Sequence, residues 1–143
     1  MNIPLNLSLA AVAIVVTVAA LSVQDPPRVI DGDTFIFQGE RIRLWGVNAP
    51  ERDLASKQAL KEILLYPSSA RPTIHITCTS RGSDRWHRTV AQCFANGQDV
   101  GKELVLRGHA RDVPRFSNGY YAPDEAVARK EFRGIWATGQ QTP

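Results

Sequence analysis

With 143 residues, 43% of them apolar and 22% charged, the chain is long enough to bury a core and too hydrophobic for a disordered tail. The formal charge is +3, and residues 1–24 carry no charged side chain, so the basic excess sits on the remainder. That tilts the domain toward an anionic partner without identifying one. The two cysteines and three scattered histidines lack ligand spacing, so no zinc pattern is present.

In chain order, residues 5–23 (LNLSLAAVAIVVTVAALSV) form a nearly continuous apolar stretch. It reads as an export signal, with small-residue cleavage patterns at Val18-Ala19-Ala20 and Ala20-Leu21-Ser22, or as an uncleaved membrane anchor. Either reading places residues 25–143 outside the cytoplasm, periplasmic, secreted or tethered to the membrane. There a Cys78–Cys93 disulfide would persist, provided the Cα atoms lie within about 7 Å. Two buried thiols are the alternative.

Asp25-Pro26-Pro27 marks the start of the domain. Arg28-Val29-Ile30 begins a strand that Asp31-Gly32-Asp33 breaks and Phe35-Ile36-Phe37 resumes. Gln38-Gly39-Glu40 turns into a second strand, Arg41–Val47, where Ile42 and Leu44 alternate with Arg41 and Arg43. Residues 53–65 have helical spacing, with Leu60, Ile63 and Leu64 on one face. Thr73–Cys78 and Thr89–Phe94 alternate as strands around a polar loop, residues 80–88, and Asn96-Gly97 turns the chain. Asp99 caps a helix predicted to run to Arg107, with Gly108 as its stop. A short strand is expected at His109–Val113. Pro123 opens a last helix carrying Ala128, Phe132, Ile135 and Trp136. Short strands followed by helices give an α+β fold, a small β-barrel with packed helices.

Three clusters carry possible chemistry. Asp31-Gly32-Asp33-Thr34 is a turn sequence whose carboxylates could also hold a hard cation. It is not an EF-hand, because the twelfth position of such a loop is Ile42 rather than Glu. Arg43-Leu44-Trp45-Gly46-Val47-Asn48-Ala49-Pro50-Glu51 opens on a cation and closes on a carboxylate. Asp84-Arg85-Trp86-His87-Arg88 concentrates charge and an aromatic in one loop. Each alone reads as ordinary surface. Together they supply what phosphodiester cleavage requires: two arginines for the phosphate, a carboxylate near a water, and oxygen ligands for a divalent ion.

On VIDGDT (29–34), RLWGVNAPE (43–51), DRWHRTVA (84–91) and YAPDEAVARKEFRGIW (121–136), in this order and spacing, the sequence resembles the staphylococcal nuclease-like (thermonuclease) family. The resemblance spans about residues 28–137. It implies an OB-like five-stranded barrel with about three packed helices, and a calcium-dependent nuclease acting on DNA and RNA. By position, Arg43 and Arg88 resemble the catalytic phosphate-binding arginines, and Glu51 the residue usually assigned as general base. Asp33 matches a Ca2+ ligand, and Ala49 a position that ligates through its backbone carbonyl. Arg85 and Trp86 fall beside the substrate, where Trp86 could stack on a base. Asn48 departs from the pattern, since the family usually has Asp there. An amide oxygen still coordinates calcium but brings no charge, which implies weaker binding. His87 also departs, standing where glycine commonly precedes the second arginine.

Two functional expectations follow. The first is an exported or anchored nuclease. The second is an OB-like module with weakened catalysis that binds nucleic acid or protein. Nothing in the sequence asks for more than a monomer, and membrane contact is expected only through residues 5–23 if they are retained.

Overall fold

The computed structural model describes residues 25–66 and 73–137; the apolar N-terminal segment and its expected signal or anchor lie outside the described residues. The first four strands are β1 (Arg28–Asp31), β2 (Thr34–Phe37), β3 (Glu40–Leu44) and β4 (Val47–Asn48). Helix α1 (Leu54–Leu65) follows, then β5 (Ile76–Ser83), β6 (Thr89–Ala95), β7 (Gln98–Asp99) and α2 (Val100–Leu106). The chain ends in β8 (Arg111–Asp112), α3 (Pro114–Ser117), α4 (Ala122–Lys130) and a 3-10 turn at Gly134–Trp136.

The expected α+β class is what the chain adopts. The main sheet has six strands rather than the expected five, β1-β2-β3-β6-β5 in order with β7 added on β6, while β4 pairs β8 separately. Among the described residues β1 and β5 do not pair, so this sheet has OB-like helical cover without closing into a barrel. Its core combines Phe35, Ile42, Leu44, Ala91 and Cys93 from the strands with Leu60, Leu64, Leu104 and Val105 from the helices. Full burial of each large side chain contributes about 1.5–3 kcal/mol.

Several local expectations change. Asp31-Gly32-Asp33 does not interrupt one strand. It turns β1 back antiparallel onto β2, with Asp31 opposite Thr34. The strand predicted through Val47 stops at Leu44, because Gly46 adopts φ +72° and redirects the chain. Strand β5 begins later than predicted and extends to Ser83, into the polar loop. Helix α4 stops before Phe132, which has φ +53° and is exposed, so Ile135 and Trp136 belong to the 3-10 turn. By contrast, Asp99 caps α2 as expected by accepting from the Lys102 N–H; Asp53, expected within α1, is instead its N-cap and accepts from the Ser56 N–H.

Two features set the position of the site. Strand β3 pairs in parallel with β6, placing Ile42 opposite Thr89, Arg43 opposite Val90 and Leu44 opposite Ala91. Leu44 and Ala91 face the core, so the alternating Arg43 and Val90 face away from it, and Arg88 enters beside them. The second feature is Gly32, where a Cβ would come within 2.7 Å of the Cβ atoms of Ala49 and Ser56. The absent side chain lets the β1–β2 turn pack directly on the segment that follows β4. The cysteines lie opposite one another on β5 and β6 and form a disulfide with a Cα–Cα distance of 4.1 Å.

Candidate functional site

A cavity of about 840 Å³ opens on the side of β3 and β6 that faces away from the core. Arg43, Arg81, Arg85, Arg88, Arg111 and Arg115 line it, against the two acids Asp84 and Asp112. The whole chain carries only +3, so this groove holds more positive charge than the molecule does in sum. Trp86 and Phe116, both more than half exposed, stand on its walls.

Arg43 is deeply engaged. Its Nη1 donates to the carbonyls of Leu44 and Val47, both at 2.8 Å, closing the turn between β3 and β4. Its Nη2 donates to Asn48 Oδ1 at 3.0 Å and forms an ion pair with Asp33 Oδ2 at 3.2 Å. Burial lowers its pKa, Asp33 counters that, and the nearby Arg88 lowers it again. A desolvated guanidinium beside a second one is a strong place for an anion.

Asp33 is buried, as its place under the turn requires. Besides Arg43, it accepts from the Ala49 N–H at 2.8 Å and from the Thr34 hydroxyl at 3.0 Å. The resemblance assigned Asp33, Asn48 and Ala49 to a metal, and the structure brings them together. The Asp33 and Asn48 oxygens converge on one cationic nitrogen, Arg43 Nη2. Carboxylate, amide and carbonyl oxygens are the donors a hard divalent ion takes, so the donor chemistry fits calcium, with Arg43 as a competitor for the same oxygens. Among the described residues, no group of three or more His, Cys, Asp or Glu side chains is arranged for a metal.

Arg88 is held differently. Asp84 Oδ2 accepts from its Nε at 2.7 Å, while Asp84 Oδ1 accepts the backbone N–H groups of Trp86 and Arg88. Burial raises the Asp84 pKa, but these hydrogen bonds outweigh it and hold the carboxyl below its ordinary value. Arg85 and Arg88 both lie over the Trp86 ring, at 4.1 and 5.0 Å from its centroid. The loop thus offers cations and an aromatic face together. Within it His87 has φ +59°, a left-handed conformation in which glycine is at ease and other residues are strained.

Of the predicted residues, Arg43, Asn48, Arg85, Trp86 and Arg88 share the cavity, with Asp33 and Ala49 tied to it through Arg43. Glu51 is exposed on the loop between β4 and α1 and is not part of the cavity lining. Sequence reasoning missed the organising role of Asp84 and the presence of Arg81, Arg111 and Arg115. An Asp four residues before an Arg in a turn-rich loop was a usable signal for Asp84. The other three converge only through tertiary pairing.

These features define an α+β protein with a helix-backed sheet and an arginine-lined groove. Residues 41–138 match the family model described as staphylococcal nuclease homologue, and the chain belongs to that family. It is similar to the succinoglycan biosynthesis protein ExoI of Rhizobium meliloti (strain 1021), at 35% identity over 76% of this chain and 61% of the relative. It is similar also to an uncharacterized endonuclease of Haemophilus influenzae, at 28% identity over 77% of this chain and 64% of the relative. A third relative is the probable endonuclease LCL3 of Scheffersomyces stipitis, at 29% identity over 70% of this chain and 48% of the relative. The chain therefore spans less than two thirds of the length of each of these relatives.

Proposed function

We propose that this protein is a calcium-dependent nuclease that hydrolyses phosphodiester bonds of DNA or RNA. The observation that carries the reading is Arg43, on β3, and Arg88, in the loop that leads into its partner strand β6, entering one basic groove. Family membership and relatives named endonuclease support it.

Arg88 spends its Nε on Asp84, which fixes the plane of the guanidinium and leaves both Nη groups to donate to phosphate oxygens. Arg43 adds positive charge from the other side. Charge on those oxygens grows in the transition state, so fixed donors there stabilise it more than the ground state. Glu51 makes no ion pair with Arg43 or Arg88 and is solvent-accessible, so it can orient or deprotonate a water. Asp33, Asn48 and the Ala49 carbonyl would hold calcium, which supplies Lewis-acid assistance when bound. With an amide in place of a second carboxylate, affinity falls, and activity requires high calcium. Arg85 and Trp86 bind the strand beyond the scissile bond. The cross-strand disulfide supports an extracytoplasmic setting, reached through residues 1–24 as signal or anchor.

One observation favours the second reading, a binding module. Both Nη groups of Arg43 already donate to internal partners, leaving Nε for phosphate unless Asn48 or Asp33 releases it. The deciding experiment incubates the full chain with single- and double-stranded DNA and RNA across a calcium titration, with chelator and Glu51→Ala controls. Calorimetry of calcium binding without substrate accompanies it. Calcium-dependent cleavage lost in both controls supports the enzyme. Tight substrate binding without cleavage at any calcium level moves the conclusion to the module.

A further inference from the structure

Strand β6 carries a buried glutamine that the mechanism above does not use. Gln92 lies on the same side of β6 as Val90 and is 6% exposed. Its Nε2 donates to Asp99 Oδ2 at 2.7 Å, and its Oε1 accepts from Arg81 Nη2 at 2.6 Å. Asp99 is itself buried and also accepts from the Tyr121 hydroxyl at 3.1 Å. The chain Tyr121–Asp99–Gln92–Arg81 thus runs from the core beneath α2 out to the groove.

The direction of this chain has a chemical cause. A buried carboxylate takes donors only, so it forces the Nε2 end of Gln92 inward. The Oε1 end must then face the groove and needs a donor there. Any single N–H or a water would suffice for that purpose. The residue present is an arginine, with its guanidinium also laid over Trp45 at 4.7 Å from the ring centroid. Two fixed contacts hold an otherwise exposed side chain in one orientation, and its other N–H groups remain to face the groove.

We propose that Arg81 binds a second phosphate of a polynucleotide strand, beside the phosphate held by Arg43 and Arg88, and that Gln92 and Asp99 are positioning residues for it. This rests on the nuclease reading and adds to it a specific residue that contacts the strand away from the scissile phosphate. The separation from the first phosphate has support. Arg81 is fixed by Gln92 and the Trp45 ring and shares neither Asp33 nor Asp84, the carboxylates that hold Arg43 and Arg88. Arg81 nevertheless lines the same cavity, along the Trp45 side. Holding a guanidinium in place before binding lowers the entropy lost on contact, which is the purpose of a buried relay behind it.

The test measures anisotropy of a labelled single-stranded 12-mer oligodeoxynucleotide bound to the full chain, in chelator so that no turnover occurs, across a salt series. Arg81→Gln is expected to raise Kd about three- to tenfold near 0.1 M salt and to reduce the log–log salt slope by about 0.7, one phosphate contact on a single strand. Arg81→Lys restores the slope but only part of the affinity, since an ammonium cannot make the paired contact. Gln92→Leu weakens binding with the slope nearly kept, because the charge remains and its placement is lost. Weaker binding by Arg81→Gln at an unchanged slope assigns Arg81 a structural role and overturns the proposal. So does an unchanged Kd in a protein whose wild type binds the 12-mer, with the nuclease reading left standing. A wild type that binds no oligonucleotide overturns both.

Discussion

Arg43 and Arg88 face one groove and are held in opposite ways. Arg43 sits mid-sheet, its two Nη groups donating to two carbonyls, an amide and a buried carboxylate. Arg88 sits at the foot of a loop and uses Nε on a single aspartate. The first arginine is part of what closes the β3–β4 turn, and the second is a tool mounted on a hairpin. Position in one groove therefore does not mean equal consequence when the side chain is removed.

Substitution is the most direct way to break that comparison. Arg43→Ala should abolish cleavage and also destabilise the domain by about 3 kcal/mol. It leaves Asp33 buried without its cation and two carbonyls without a donor. Arg88→Ala should lower kcat by about 10²- to 10³-fold while costing only about 1 kcal/mol of stability, since Asp84 keeps its two backbone donors when the guanidinium is gone. Urea denaturation with kinetics on both variants checks this. Equal stability losses would show that the two arginines are not held differently after all.

The disulfide sharpens the contrast from the other side. Cys78 and Cys93 staple β5 to β6, 15 residues apart in sequence, at the base of the hairpin that carries Arg88. Cys78→Ser with Cys93→Ser should cost about 3 kcal/mol, the loop-closure value for that separation. Amide exchange should quicken across residues 76–95 before it does in β2 and β3. Uniform quickening would mean the hairpin is not an independent unit. Asn48→Asp acts at the Arg43 end alone. It should tighten calcium about tenfold by calorimetry, since a full charge joins Asp33. An unchanged Kd would remove Asn48 from the metal site.

The Asp84 carboxyl provides a pH handle on the Arg88 side. Its folded pKa lies below the ordinary 3.8, so the stability it contributes is fully present above pH 3.8. That stability is lost as pH falls through the lower folded value. The Asp84 carboxyl resonance should therefore titrate below 3.8, with the Trp86 and Arg88 amides moving together. A midpoint above 3.8 would show that the hydrogen bonds do not outweigh burial.

How much of this was legible in the sequence follows from how local each cause is. Asp99 was readable as a helix cap, because a cap needs only its neighbours, whereas Asp53 was counted inside the helix it caps. The β1–β2 hairpin was read as a broken strand, since a turn dipeptide does not reveal whether the chain reverses or continues. Trp136 was assigned to the last helix by its spacing. Phe132 in a left-handed conformation, with Gly108 and Gly134 in backbone contact, ended that helix early, and only packing shows it. At the site, the aligned motifs gave Arg43, Asp33, Asn48 and Arg88. The saturation of Arg43 depends on where Asn48 and two carbonyls point, and the Arg81 relay depends on β5, β6 and α2 meeting. No sequence spacing encodes either.

The smallest effect tests the loop itself. His87 is exposed with φ +59°, and an L-residue there is disfavoured by about 1 kcal/mol. Glycine would relieve this strain but would add freedom to the unfolded chain, and the two contributions oppose. The folded-state gain should win narrowly, so His87→Gly is expected to stabilise the domain by about 0.5 kcal/mol with kcat unchanged. Asp84 fixes the loop through the Trp86 and Arg88 amides, and neither of those contacts involves the imidazole. If His87→Gly instead lowered kcat several-fold at equal stability, the imidazole would have to contact substrate.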